Sequence, residues 1–208
     1  TLCDAMRPYI MDTDDFLDTA ECIRENPNGL DFLPATQELA DLETLMIQAY
    51  QREMILSSIL QEISGQYDFI LIDCPGSLGH LMASNEVILA AFPEKNSLAG
   101  LSKIMNFIDQ ISRRMHREIQ VRGVLFNRVD VRETDLNKLL KDAKAHVKRE
   151  LPFFNNWIPK RVSVARAVEH AASIFEYEPS SDAAIAYAKL ANEYLKQAGG
   201  EKRNGKSA

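Results

Sequence analysis

The sequence predicts an α/β protein, a doubly wound and mostly parallel sheet flanked by helices. Two observations predict it: short apolar runs rich in β-forming residues, and amphipathic helical stretches that separate them. Gly29 to Pro34 reads as a short strand closed by its proline. From Ala35 to Ser64 the apolar spacing is helical, through Leu39, Leu42, Leu45, Met46 and Ala49, then Met54, Ile55, Ile59, Leu60 and Ile63. Gly65 follows where such a helix would end. Tyr67 to Ile72 is a continuous apolar run, the pattern of a strand buried on both faces. Asn85 to Phe92 is a second such strand and Val121 to Phe126 a third, with a helix from Leu98 to Met115 between them. Asp135 to Arg149 reads as a highly charged helix. Phe153 to Ile158 is a short strand ending at Pro159, and Ala183 to Lys196 is an amphipathic closing helix. These elements make one α/β domain over residues 1–198. The Gly-rich polar tail, 199–208, is expected to be disordered. No internal repeat is visible.

Composition narrows the class. With 208 residues, 46% of them hydrophobic, the chain can bury a sizeable core. A formal net charge of −6 argues against a globally basic nucleic-acid coat but leaves room for a local basic patch. Three cysteines, Cys3, Cys22 and Cys74, are too few and scattered for a disulfide framework, which suits a reducing cytoplasm. The four histidines have no metal-ligand spacing. No stretch approaches the roughly 18 apolar residues of a membrane span. The opening residues lack the basic and apolar regions of a secretory signal. The first residue is Thr1 rather than Met, so a true beginning upstream is expected.

The segment richest in chemistry is Ile70-Leu71-Ile72-Asp73. An apolar strand ending in Asp delivers a carboxylate to a sheet edge, where it can hold Mg²⁺ through water. On spacing alone, an Asp that caps the following turn accounts for it equally. In sheets of this kind ligands sit at the carboxyl ends of the strands.

Further residues carry a resemblance. Asp73-Cys74-Pro75-Gly76-Ser77-Leu78-Gly79 resembles the DxPPSLG signature of the ParA/MinD family of deviant-Walker ATPases, and is most similar to the ParA branch, with Gly76 where the family usually has a second Pro. Pro93 to Leu101 resembles the family's PE…SLEGL segment, Ile158 to Val162 its IPRNV, and Glu176 to Ser181 its EYDPKS. Asp31 to Ala35 with Leu39-Ala40 resembles LLPSN…LA. The motifs run in family order from about residue 30 to 196. Thr1 to Met6 resembles a TLYDAL segment that in the family lies beyond an opening strand, a KGGxGKT loop, a helix and a second strand. The N-terminal strand and P-loop are therefore absent from the chain, which reads as a fragment of a longer protein. The alternative is a non-enzymatic ParA-like scaffold, binding DNA or a partner, that has lost the P-loop. Between Leu78 and Asn85 the chain is also shorter than the family pattern. Without the loop the chain is expected to bind nucleotide poorly, to hydrolyse none, and to leave strand edges unpaired. Gly200 to Ser207 does spell G-x-x-x-x-G-K-[ST]. It follows a helix and precedes only Ala208, so it is a coincidence rather than a phosphate loop.

The resemblance implies ATP and Mg²⁺ as cofactors, with Asp73 holding the metal through water. It places Asn127, just past the strand Val121 to Phe126, where MinD-like relatives contact adenine; a turn residue is the plain reading. It places Pro159 in the segment that covers the base, where a strand-ending proline is the plain reading. Ser77 has no His placed to activate it and is no nucleophile, and no catalytic residue is assigned. The implied partners are a second copy of the chain, nonspecific DNA and a ParB-like centromere-binding protein, in a cytoplasmic, nucleoid-associated setting. Lys160, Arg161 and Arg166 are the favoured DNA contacts. Lys141 and Lys148, with Lys138, Lys144 and Arg149, recur at helical spacing, and Arg113, Arg114, Arg117 and Arg122 form a second group. A solvated helix face is the ordinary meaning of such runs. Membrane positioning of the MinD kind fits less well, since the closing helix is followed by a Gly-rich polar tail rather than a basic amphipathic helix.

Overall fold

A computed structural model describes residues 1–11, 17–26, 29–46, 49, 52–73, 79–130, 132, 135, 137–138, 141–142 and 151–204. The chain divides into two compact units, Thr1–Ser84 and Asn85–Ala208.

The first unit is helical. Helices α1 (Leu2–Met11), α2 (Thr19–Cys22), α3 (Glu38–Leu45) and α4 (Ile55–Ile63) surround a core of Ala5, Met6, Cys22, Ile55 and Ile59. The apolar stripe of α4, Ile55, Leu56, Ile59 and Ile63, is what fixes it there. Buried Thr19 is satisfied by donating its hydroxyl to Glu62 Oε2 at 2.5 Å, and Tyr9 donates to Oε1 of the same carboxylate at 3.1 Å. Three expectations change here. Gly29 to Pro34 forms, among the described residues, one antiparallel bridge, Arg24 with Phe32, and Gly29 takes φ +78°. The helical stretch from Ala35 is broken between α3 and α4. Tyr67 to Ile72 is not a strand, and Leu71 is 85% exposed. Its apolar composition suits a buried strand, but a strand exists only beside a partner. Among the described residues it pairs into no ladder of the regular kind that β1 and β2 form.

The second unit carries the sheet. Strand β1 (Glu86–Ala91) pairs in parallel with β2 (Gln120–Phe126), and α5 (Lys95–Met115) connects them, a βαβ crossover. Leu101, Met105, Ile108 and Ile111 form the buried stripe of α5. On its other edge β2 is lined by Pro152–Lys160: Val124 N–H donates to the Pro152 carbonyl at 2.9 Å, Phe154 N–H to the Val124 carbonyl at 3.1 Å, and Ile158 N–H to the Phe126 carbonyl at 2.9 Å. Helices α6 (Val162–Glu169), α7 (Ile174–Tyr177) and α8 (Asp182–Asn204) come next in the chain. Leu125, Phe154 and Ile158 pack against Ala186, Tyr187, Leu190 and Tyr194 of α8. Strand β1, expected to be buried on both faces, alternates instead. Val87, Leu89 and Ala91 are buried and Ile88 is 40% exposed, because only one face of the strand is covered among the described residues. The closing helix runs past Lys196 to Asn204, through the first part of the Gly-rich tail. The charged helix expected from Asp135 to Arg149 lies almost wholly outside the described residues. Among them, no helix is long and apolar enough to cross a membrane.

The β1–β2 ladder slips by one residue. Val87 faces Val121, but Ile88 faces Gly123, so Arg122 is the extra residue of a bulge. Arg122 is buried, 7% exposed, and its Nε and Nη2 donate to Glu86 at 2.8 and 2.5 Å; Tyr194 of α8 donates to the same carboxylate at 2.7 Å. Arg122 therefore does not belong with the DNA-binding cations: its charge is spent inside. The Arg122 hydrogen bond holds the Glu86 carboxyl below its usual value, burial opposing and Tyr194 assisting. Burial, then the Glu86 carboxylate, pushes the Tyr194 phenol up to about 12.

This corner of the unit can be tested at two residues. A Cβ on Gly123 would stand 3.1 Å from two ring carbons of Phe154 and 3.4 Å from the Pro152 carbonyl oxygen. Gly123→Ala should therefore cost about 1–2 kcal/mol in urea unfolding. Because folding depresses the Glu86 pKa, its contribution is present above the unfolded value near 4.5 and lost as pH falls through the folded value. The stability gap between wild type and Glu86→Gln, measured by urea unfolding at pH 7, should close as the pH is lowered through the acid range.

Candidate functional site

The carboxyl ends of β1 and β2 form one edge of the second unit. After Ala91 the chain turns into α5: Phe92 N–H donates to Ser97 Oγ at 2.9 Å and Glu94 N–H to the Phe92 carbonyl at 2.8 Å. Asn127, the first residue past β2, donates its N–H to the Ala91 carbonyl at 2.9 Å. Its Oδ1 accepts from the next backbone N–H, Arg128, at 2.8 Å, an arrangement that holds Arg128 in the left-handed region at φ +55°. The Arg128 guanidinium lies 5.4 Å from the centroid of the Phe92 ring, a cation–π contact. Val129, fully buried, bridges to Pro159 and accepts from Lys160 N–H at 2.9 Å. Asn127, two residues before Val129, and Pro159, remote in sequence, thus lie at the same strand edge. Asn127 is half-buried and Pro159 buried.

The basic candidates divide. Lys160 and Arg166 are exposed, the latter on the outer part of α6. Arg161, just before α6, donates from Nε to both carboxylate oxygens of Asp182, at 3.0 and 2.8 Å, and from Nη2 to Oδ2; its Nη1 donates to the Lys160 carbonyl at 2.8 Å. Lys141 is exposed, and Lys148 lies outside the described residues. Of the second group, Arg113 and Arg114 are exposed, whereas Arg117 donates to Asn85 Oδ1 at 3.0 Å.

The loop leading to Pro159 is held from α8. Glu193 Oε1 accepts from Asn155 N–H and Nδ2, both at 2.8 Å, while Oε2 accepts from Asn156 N–H at 3.1 Å and Nδ2 at 2.5 Å. Burial raises the Glu193 pKa, but the four donors together outweigh it and hold the carboxyl below its usual value. Before α7, Ser173 and Glu176 form a reciprocal capping box, which the Ser-x-x-Glu spacing announces. No local spacing announces Arg128, Asp182 or Glu193.

Asp73 belongs to the first unit. It is exposed and follows the irregular Tyr67–Ile72 segment; the signature residues 74–78 lie outside the described residues, Ser77 among them. A single exposed carboxylate fits a water-mediated hold on Mg²⁺. In the second unit Asn127, half-buried just past β2, has a side-chain amide of the chemistry that fits the edge of a purine base. Among the described residues no glycine-rich loop leads from a strand into a helix, so they do not fit the phosphates and no hydrolytic step is derived from them. Nor does any group of three or more His, Cys, Asp or Glu among them form a metal cage.

A parallel βαβ core with candidate residues gathered at its strand ends is the layout of doubly wound nucleotide-binding proteins. The solved structure of cobyrinic acid a,c-diamide synthase from Mycobacterium smegmatis, with bound ATP analog and magnesium, has that fold. It superposes with a TM-score of 0.72 over 92% of this chain and 72% of that one, at 23% identity, a likeness of fold. Residues 5–121 match the AAA domain family model AAA_31. The sporulation initiation inhibitor protein Soj of Bacillus subtilis is 31% identical over 79% of this chain and 66% of its own length. The chromosome-partitioning ATPase Soj of Treponema pallidum is 30% identical, over 85% and 72%. The chain belongs to the ParA family of partition ATPases, and it spans about two thirds of the length of these relatives.

If Glu193 holds the Asn155–Asn156 turn, Glu193→Ala should lower stability by about 1–2 kcal/mol. It should also speed amide hydrogen exchange at Asn155 and Asn156 by more than it does in the β1–β2 ladder.

Proposed function

We propose that the chain is part of a ParA-type ATPase of DNA partition, one that dimerises with ATP and, as a dimer, holds duplex DNA without sequence preference. Its further partner is a ParB-like centromere-binding protein, and its setting is the cytoplasmic nucleoid. The observation that carries this reading is the kinship to relatives named for chromosome partitioning, joined to the position of Asn127 and Pro159 at one strand edge. When bound, ATP would supply the phosphates whose presence switches the dimer on. Asn127 and Pro159 would orient and cover the base, and Asp73 would hold Mg²⁺ through water.

DNA binding needs cations that displace counterions from phosphate. Lys160 and Arg166 suit that task, being exposed and, among the described residues, without an acidic partner. Lys141 and Lys148 are the outlying contacts of the same reading. A chain of net charge −6 would hold DNA through such a patch rather than through its whole surface. In a titration of labelled duplex at several salt concentrations, made with ATP and the whole protein of which this chain is part, the affinity should fall steeply with salt. Lys160→Gln with Arg166→Gln should reduce the slope of log affinity against log salt by about two. Absence of binding at low salt would remove the DNA reading.

A further inference from the structure

The fork of Arg161 is already occupied. Three of its four hydrogen bonds go to one carboxylate, that of Asp182, and the fourth to the Lys160 carbonyl. A guanidinium presents five N–H donors in a planar fork that matches carboxylate and phosphate alike. Asp182 thus fills the position a DNA phosphate would take on this residue.

The carboxylate is held on a rigid element. Asp182 opens α8, where the Ser181 hydroxyl accepts from Ala184 N–H at 3.1 Å, and the next two residues, Ala183 and Ala184, are buried. An acid in the first turn also interacts favourably with the helix dipole. Asp182 therefore stays in place whether or not Arg161 is beside it. Both side chains are open to water, 39% exposed for Arg161 and 53% for Asp182. An ion pair so exposed is readily exchanged for another anion. On either side, Lys160 and Arg166 are exposed.

We infer that Asp182 is an internal competitor for DNA phosphate at Arg161, an acidic residue that lowers the affinity of the basic surface at low salt and makes its binding less dependent on salt. The inference rests on the DNA-binding reading above. A phosphate can seat on Arg161 only by displacing the Asp182 carboxylate, so the site yields less than a free arginine would. With the acid gone, Arg161 joins Lys160 and Arg166 as a full phosphate contact.

The test is a salt-series titration of labelled duplex DNA, in the presence of ATP, with the whole protein of which this chain is part and four variants: Asp182→Asn, Arg161→Gln, the double variant, and Glu178→Gln. Glu178→Gln removes an equal charge from an exposed residue shortly before α8. Asp182→Asn should tighten binding about 3- to 10-fold at low salt and steepen the log–log salt slope by nearly one. The gain should vanish in the Arg161→Gln background, and Glu178→Gln should give little of it. Thermal unfolding of Asp182→Asn within a few degrees of wild type confirms an intact fold; if it is not intact, Asp182→Ser replaces it in the same series. An equal gain with and without Arg161, or with Glu178→Gln, means general charge and overturns the inference. So does an unchanged affinity in a chain whose binding still weakens on Lys160→Gln with Arg166→Gln, an outcome that leaves the DNA reading standing. No binding by any form removes both.

Discussion

The second unit depends on β2 being paired along both edges. A parallel strand offers its N–H and C=O groups alternately to its two neighbours, so one central strand sets the register of both. β2 does this with β1 on one side and Pro152–Lys160 on the other. That double pairing is what brings Asn127 and Arg128 to the same edge as Pro159 and Lys160. The one-residue slip at Arg122 keeps the ladder in step from Ile88 onward, and it puts a guanidinium into the interior beside Glu86. Gly123 stands next in the strand because the Phe154 ring closes over that point. The site edge is thus a consequence of ladder geometry, and the local sequence around each residue only permits it.

Much of this unit is legible in the letters. The expected strands at Asn85–Phe92 and Val121–Phe126 and the helix between them recur nearly in place as β1, β2 and α5, since apolar period and partner are both present. Tyr67 to Ile72 has the same composition and a different outcome. Val124 in β2 is completely buried and Leu71 almost fully exposed, and what separates them is the neighbour, which composition does not encode. The candidate residues divide on the same line. Asn127 and Pro159 can be named because each ends an apolar run, and a strand end is where such sheets place ligands. Asp182 and Glu193 cannot be, for their partners stand 21 and 37–38 residues away, at no spacing a helix or strand would mark. Arg122 fails as a surface cation for a related reason: a basic residue close to Arg117 in sequence looks like surface until the ladder turns it inward.

Two arginines in this unit make the same bond and play opposite parts. Arg122 and Arg161 each grip a carboxylate with more than one N–H, and each removes a cation from a surface that already belongs to a chain of net charge −6. Burial separates their fates. The Arg122 side chain is buried, 6% exposed against 31% for that of Glu86, so parting the pair would strand its charge where solvent cannot compensate, and no DNA phosphate can reach it. The Arg161 pair stands in water, where separation costs little and an incoming anion meets both groups at once. Affinity for a polyanion at this surface is then governed less by how many basic residues the sequence holds than by which of their acidic partners solvent can reach.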